Sequence, residues 1–271
     1  MTRRPLADKP IDRFRLDGRT VVVTGGASGL GQTFAESLAD AGARVAVFDR
    51  DPLDETAELL GDRGLMVHAD LIDPDQVRAA VDQTLEWSDG EVDALVNNAG
   101  IASVLGRADE VAVEDFDRVL AVNLRSMFLT TKALLPPLID SGRGSIINLG
   151  SYLGLVGLYP GFPVTAIPYA SSKAAVVGFT RQLAVEYARD QIRANVVAPG
   201  WHPATNLARE YSKKLDQAGI DRLLEWMPTS VPMGRVGDRK EIAGLVLYLA
   251  SDASTYLSGQ VIAHDGGITA A

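Results

Sequence analysis

The chain has no cysteine among its 271 residues, and its three histidines, His68, His202 and His264, lie far apart in sequence. Disulfides and thiol chemistry are therefore excluded, and spacing assembles no metal-ligand cluster. Positive charge is in short supply: 26 Lys and Arg face 35 Asp and Glu, for a formal net charge of -9. A phosphate-binding surface should be visibly basic, so a nucleic-acid partner is not expected. No sustained apolar run reaches the length of a membrane-spanning helix. The first fifteen residues scatter Arg3, Arg4, Lys9, Arg13 and Arg15 around Asp8 and Asp12 with no apolar segment behind them, unlike a signal peptide. The expectation is a soluble, cytoplasmic protein handling a small molecule. What is present is ordinary globular composition, 46% hydrophobic and 23% charged, at a length suited to one α/β domain.

Periodicity fills in that domain. Arg19 to Thr24 is a β-branched run cut off by Gly25-Gly26, followed by a helical pattern from Gln32 to Ala41 that ends at Gly42. Further short apolar runs at 44–48, 65–69, 92–96, 145–149, 192–198 and 260–263 alternate with helical patterns at about 52–60, 73–87, 113–139, 169–188 and 238–250. Strands alternating with helices predict a doubly wound, mostly parallel sheet covered on both faces. One long helix is expected from Val113 to Ile139, bent or ended by Pro136-Pro137. Residues 1–15 are expected to be a loose leader, 16–271 a single domain, and 201–236 a looser stretch within it.

Two stretches carry chemistry. Thr24-Gly25-Gly26-Ala27-Ser28-Gly29-Leu30-Gly31 stands between the first strand and a helix, where glycines let the backbone approach a pyrophosphate seated on the helix N-terminus. Its spacing departs from the common G-x-G-x-x-G fingerprint. Asp49, ending the second strand 18 positions after Gly31, is placed to accept hydrogen bonds from ribose hydroxyls and to repel a 2′-phosphate. NAD is therefore expected over NADP, with Arg50 the residue that could soften that preference. The second stretch holds Tyr169 and Lys173, four apart, which a helix would stack on one face. A cation beside a phenol favours the phenolate, so Tyr169 could accept a proton from an alcohol nearer neutrality than an isolated phenol would.

The motifs Thr24-Gly-x-x-x-Gly-x-Gly31, Asn97-Asn98-Ala99-Gly100, Ser151, Tyr169-x-x-x-Lys173 and Pro199-Gly200, in this order, make the sequence resemble a short-chain dehydrogenase/reductase from about Leu16 to Gly267. The resemblance implies a single-domain Rossmann fold with a seven-stranded sheet, a homotetramer, and hydride transfer between NAD(P) and an alcohol or ketone. It implies Tyr169 as acid/base and Lys173 as the residue that lowers its pKa and holds the nicotinamide ribose. Ser151 would orient the substrate oxygen and Asn123 support a relay water. For the cofactor it implies Gly25, Ser28, Gly29, Leu30 and Gly31 around the pyrophosphate, Asp49 at the ribose, Asp70 and Leu71 at the adenine, and Asn97, Ala99 and Gly100 beneath. Pro199, Gly200, His202 and Thr205 would lie at the carboxamide end, His202 through its backbone.

There are departures from the family pattern. Ser151 and Tyr169 stand 18 apart, several residues more than usual, and no charge lies between Arg143 and Lys173. That uncharged stretch suits a substrate-pocket wall or a subunit interface equally. Trp201-His202-Pro203-Ala204-Thr205 replaces the usual aliphatic residue and threonine, and Trp201, Tyr211, Trp226 and Met227 are candidate walls of a substrate lid. A serine hydrolase would need G-x-S-x-G, which neither Gly26–Leu30 nor Gly150-Ser151-Tyr152 supplies. A non-catalytic dinucleotide-binding regulator would have no reason to keep Asn123, Ser151, Tyr169 and Lys173 together. Phe14-Arg-Leu-Asp-Gly18 and Met233-Gly-Arg-Val-Gly237 resemble polyol dehydrogenases and suggest a small polyol or sugar-like alcohol. The uncharged stretch equally suits a hydroxysteroid, a cyclic ketone or, less readily, an acyl-carrier thioester.

Overall fold

The β-branched run Thr20–Thr24 is strand β1, and all five of its residues are buried, as a central strand covered on both faces requires. The computed structural model describes residues 6–102, 106–157, 166–202 and 217–271. Around β1 lie β2 (Arg44–Asp49), β3 (Gly64–His68), β4 (Ala94–Asn97), β5 (Ser145–Leu149), β6 (Arg193–Pro199) and β7 (Val261–His264). They form one seven-stranded sheet in the order β3-β2-β1-β4-β5-β6-β7, and every pairing is parallel. The expected doubly wound Rossmann sheet is what the chain builds.

Eight helices cover it among the described residues: α1 (Gly29–Asp40), α2 (Asp54–Leu60), α3 (Pro74–Trp87), α4 (Val113–Leu120), α5 (Ser126–Asp140), α6 (Ile167–Glu186), α7 (Gln217–Thr229) and α8 (Arg239–Ala250). Side chains alternate across the strands, so each face has its own core. Val21, Val23, Val45 and Val47 pack with Phe34 and Leu38 of α1 and Val246 and Leu249 of α8. Val22, Leu95 and Ile146 pack on the other face with Val77 of α3, Leu134 and Leu138 of α5 and Leu183 of α6. The strand order reverses beside β1, between β1 and β4, and the crevice beyond the carboxyl ends of the strands there is where such sheets bind ligands.

The structure corrects several expectations. The helix predicted from Val113 to Ile139 is interrupted by a π turn at Ala121–Arg125, which separates α4 from α5. Its cause is side-chain chemistry that periodicity does not show: buried Asn123 turns its amide onto the backbone of Ile101, accepting from the N–H at 2.8 Å and donating to the carbonyl at 3.1 Å. Pro136 and Pro137 do not end α5, which runs on past them to Asp140. The looser stretch at 201–236 contains α7. In the expected leader, Pro10–Phe14 forms a 3-10 turn, and the Phe14 ring lies 6.1 Å from that of Tyr248. No helix among the described residues is long and apolar enough to cross a membrane.

Candidate active site

The glycine turn is closed from behind. Gly25 has φ +68°, open to glycine at no cost, and a Cβ on it would lie 2.6 Å from the Ala99 Cα. Gly31 packs just as closely, since a Cβ there would meet the Gly25 carbonyl oxygen at 2.1 Å. Gly31 therefore shapes the turn, whereas Gly25, Ser28, Gly29 and Leu30 line the cleft itself. Two side chains brace this arrangement. Asn98 donates to the carbonyls of Thr24 and Gly25 at 3.0 and 2.8 Å, and the Thr24 hydroxyl accepts from the N–H groups of Asn98 and Ala99 at 3.0 and 3.1 Å.

Helix α1 opens toward the cleft without a plug. Its N-cap Ser28 makes no side-chain capping bond, and its first turn holds no acidic residue. The starts of α2 and α6 also lack a side-chain cap, whereas α3 and α8 are capped by Asp73 and Asp238. Uncapped N–H groups at a helix start favour an anion, so the donor set of α1 fits a pyrophosphate. Asp49 lines the same cleft, one carboxylate oxygen accepting from Ala27 N–H at 2.9 Å and the other from Asp51 N–H at 3.0 Å. Asp70 and Leu71 form its wall farther out.

Asn97 departs from expectation. Its buried amide donates to Thr131 at 3.0 Å and Asn148 at 2.8 Å inside the sheet, and the cleft is lined instead by Asn98, Ala99 and Gly100. Residues alternate in direction along a strand end, so one position decides which asparagine faces the ligand side. Asn98 and Thr24 were in view in the sequence, but nothing in it distinguished bracing from binding.

At the far end of the cleft stand Ser151, Tyr169 and Lys173, all buried and all lining it. Helix α6 places Tyr169 and Lys173 one turn apart, with the ammonium 5.6 Å from the centre of the phenol ring. Lys173 Nζ donates to the Leu149 carbonyl at 2.7 Å, and burial pushes its pKa down to about 8, which leaves it charged at neutral pH. Ser151 stands two residues beyond the end of β5 and caps a 3-10 turn. Asn123 also reaches this helix: it donates to Ser172 Oγ at 3.2 Å, and that hydroxyl donates to the Tyr169 carbonyl at 2.7 Å. Ser172 was not singled out from the sequence; it fixes the backbone of the tyrosine rather than touching the cleft.

Pro199, the last residue of β6, and Gly200 and His202 after it line the cleft. His202 Nδ1 lies 3.2 Å from the Gly200 carbonyl, its ring lies 5.3 Å from that of His264, and burial lowers its pKa. Trp201 stacks obliquely on Tyr152 at 5.5 Å and edge-on to Trp226 of α7 at 5.9 Å. Thr205 and Tyr211 lie outside the described residues.

Residues 25–269 match the family model described as enoyl-(acyl carrier protein) reductase. The chain belongs to the short-chain dehydrogenase/reductase family. Among its relatives in this family is the uncharacterized oxidoreductase YxbG of Bacillus subtilis, 36% identical over 94% of this chain and 93% of that one. The crystal structure of levodione reductase superposes with a TM-score of 0.88 at 32% identity, covering 95% of this chain and all of that one. A gluconate 5-dehydrogenase from Burkholderia cenocepacia, solved with NADP and tartrate, superposes with a TM-score of 0.84 at 36% identity over 97% of this chain and all of its own. The chain is accordingly an oxidoreductase of the short-chain dehydrogenase/reductase type, a family that uses NAD or NADP.

Proposed function

We propose that this short-chain dehydrogenase/reductase interconverts a secondary alcohol and a ketone, with NAD preferred, and that its substrate is a small polyol or sugar-like molecule. The observation that carries the reading is the placement of Tyr169, Lys173 and Ser151 at one end of the cleft whose other end holds the open start of α1 and Asp49. In the oxidative direction Tyr169 takes the hydroxyl proton of the alcohol, and the reverse step returns it. Lys173, charged and 5.6 Å from the ring, stabilises the phenolate that forms. Ser151 orients the substrate oxygen, and Asn123 steadies the tyrosine through Ser172. A nicotinamide dinucleotide held by Gly25, Ser28, Gly29, Leu30, Asp49 and the Pro199–His202 segment would supply the hydride acceptor.

Asp49 supports NAD, because a carboxylate at the ribose edge repels a 2′-phosphate; a relative solved with NADP makes this the point to test first. The likeness to a gluconate 5-dehydrogenase supports a sugar-like substrate. A second reading, an apolar or cyclic ketone, draws on the aromatic series Tyr152, Trp201 and Trp226 beside Ser151 and on the likeness to levodione reductase. Family resemblance adds a cytoplasmic homotetramer to the proposal. The deciding experiment follows reduced-dinucleotide formation by the purified protein with NAD or NADP across polyols, aldonates, cyclic alcohols and hydroxysteroids. Turnover of a polyol or aldonate with NAD supports the first reading, and faster turnover with NADP removes the Asp49 argument.

A further inference from the structure

The segment after Ser151 meets α6 more closely than side-chain packing allows. Ser151 opens the 3-10 turn Tyr152–Gly154: its hydroxyl accepts from Leu153 N–H at 3.2 Å, and its carbonyl accepts from Gly154 N–H at 2.9 Å. Gly154 then lies flat on the main chain of α6. A Cβ there would stand 2.6 Å from the carbonyl carbon of Lys173, 2.7 Å from its oxygen and 2.8 Å from the Ala174 nitrogen. These atoms belong to a hydrogen-bonded helix backbone and cannot swing aside as a flexible side-chain tip would. The other end of the same lysine is held two residues before Ser151, where Nζ donates to the Leu149 carbonyl. One short segment, 149–154, thus grips Lys173 at its ammonium and at its main chain.

We propose that Gly154 is a positioning residue for the reaction: its missing side chain sets the separation between Ser151 and the helix that carries Tyr169 and Lys173. The inference rests on the catalytic reading above and deepens it. It also explains how an 18-residue interval between Ser151 and Tyr169 leaves the two at one cleft. The turn closes against α6 within three residues of Ser151, so the added chain leaves from beyond Gly154 and its length is not transmitted back to the serine. A methyl on Gly154 forces the turn and the helix apart by about 1 Å to reach ordinary contact, a displacement on the order of that which costs 10²-fold when reacting groups are misplaced.

The test compares Gly154→Ala with Gly178→Ala, a second α6 neighbourhood change in which the new Cβ meets nothing within 4 Å. kcat and KM are measured with the best alcohol from the panel, NADH affinity by fluorescence titration, and folding by thermal melting. G154A is expected to lower kcat by about 10- to 100-fold with NADH affinity within about twofold, while G178A matches the parent. In a Ser151→Ala background, G154A is expected to add less than about twofold, because the serine it places is already gone. If G154A does not fold, a glycine inserted between Tyr152 and Leu153 displaces Ser151 from the same contact without adding a Cβ and carries the same expectations. A folded variant with parental kcat overturns the proposal. So does a loss that persists undiminished without the Ser151 hydroxyl, or one matched by an equal loss of NADH affinity. A parent protein that oxidises no alcohol at all refutes the functional reading instead.

Discussion

The two ends of the sheet spend polar groups in opposite ways. At the amino ends of the strands, cations sit on the carbonyls of helix C-termini, where the helix dipole favours them. Arg19, just before β1, reaches the Ala250 carbonyl at the end of α8 and pairs with Asp252 at 2.6 Å. Arg193, opening β6, donates to Leu249 at 2.8 Å; Arg63 reaches Ala39 at the end of α1; and Arg143 pairs with Asp93. At the carboxyl ends the helix start that meets the cleft is left uncapped, and a lysine is buried beside a phenol with a carbonyl as its hydrogen-bond acceptor. The first end directs its charges onto internal partners, with one Arg193 nitrogen left without a hydrogen bond, and serves stability; the second keeps capacity in reserve for a ligand.

Substitutions at the two ends should therefore separate activity from stability. The largest effect is expected from Tyr169→Phe, which removes the proposed proton acceptor: turnover falls by about 10³-fold or more, while NADH affinity and melting temperature stay close to the parent. Arg19→Met is the mirror experiment. It leaves Asp252 and the α8 carbonyl without their partner and should cost about 2 kcal/mol in denaturant unfolding, with kcat and KM unchanged. A loss of activity in folded R19M, or of stability in Y169F, would break the division.

Lys173 sharpens the contrast, because it is a cleft residue that burdens the fold. Its pKa is about 8 in the folded chain against 10.5 for an ordinary lysine side chain. Between those values the unfolded chain holds a proton that the folded chain has released, so this group makes stability rise with pH across that window. The contribution approaches about 1.4 kcal/mol per pH unit at most, and the difference between parent and Lys173→Met in unfolding measured from pH 7.5 to about 10.5 should isolate it. The smallest effect is expected at Asp49, whose carboxylate both ties Ala27 and faces the cleft. Asp49→Ser should raise KM for NAD about tenfold and narrow the gap to NADP, with kcat largely kept.

The same division marks what could be read from sequence. Strands and most helices were legible, because a buried parallel strand must be a short apolar run and its covering helices must show a 3.6 period. That Ser151, Tyr169 and Lys173 meet at one cleft was to be expected from the four-residue spacing of the last two and from the family resemblance in the order of the motifs. What escaped depends on direction rather than identity. Asn97 and Asn98 are the same residue type in adjacent positions, yet one is locked to Thr131 and Asn148 and the other braces the glycine turn. The amino-end arginines, which contact residues up to 231 positions away in Arg19's case, leave no local pattern at all.

The π turn at Ala121–Arg125 carries one more consequence. It holds one residue more than a regular turn, so deleting one of its five would let the helix close up as a regular coil while the residues after it keep their directions. Met127, Thr130 and Leu134, all buried, would keep facing the core, and what would change is the turn through which Asn123 holds Ile101. At this point the chain should tolerate the loss of one residue better than a regular helix would, so long as Asn123 and its bonds to Ile101 are kept.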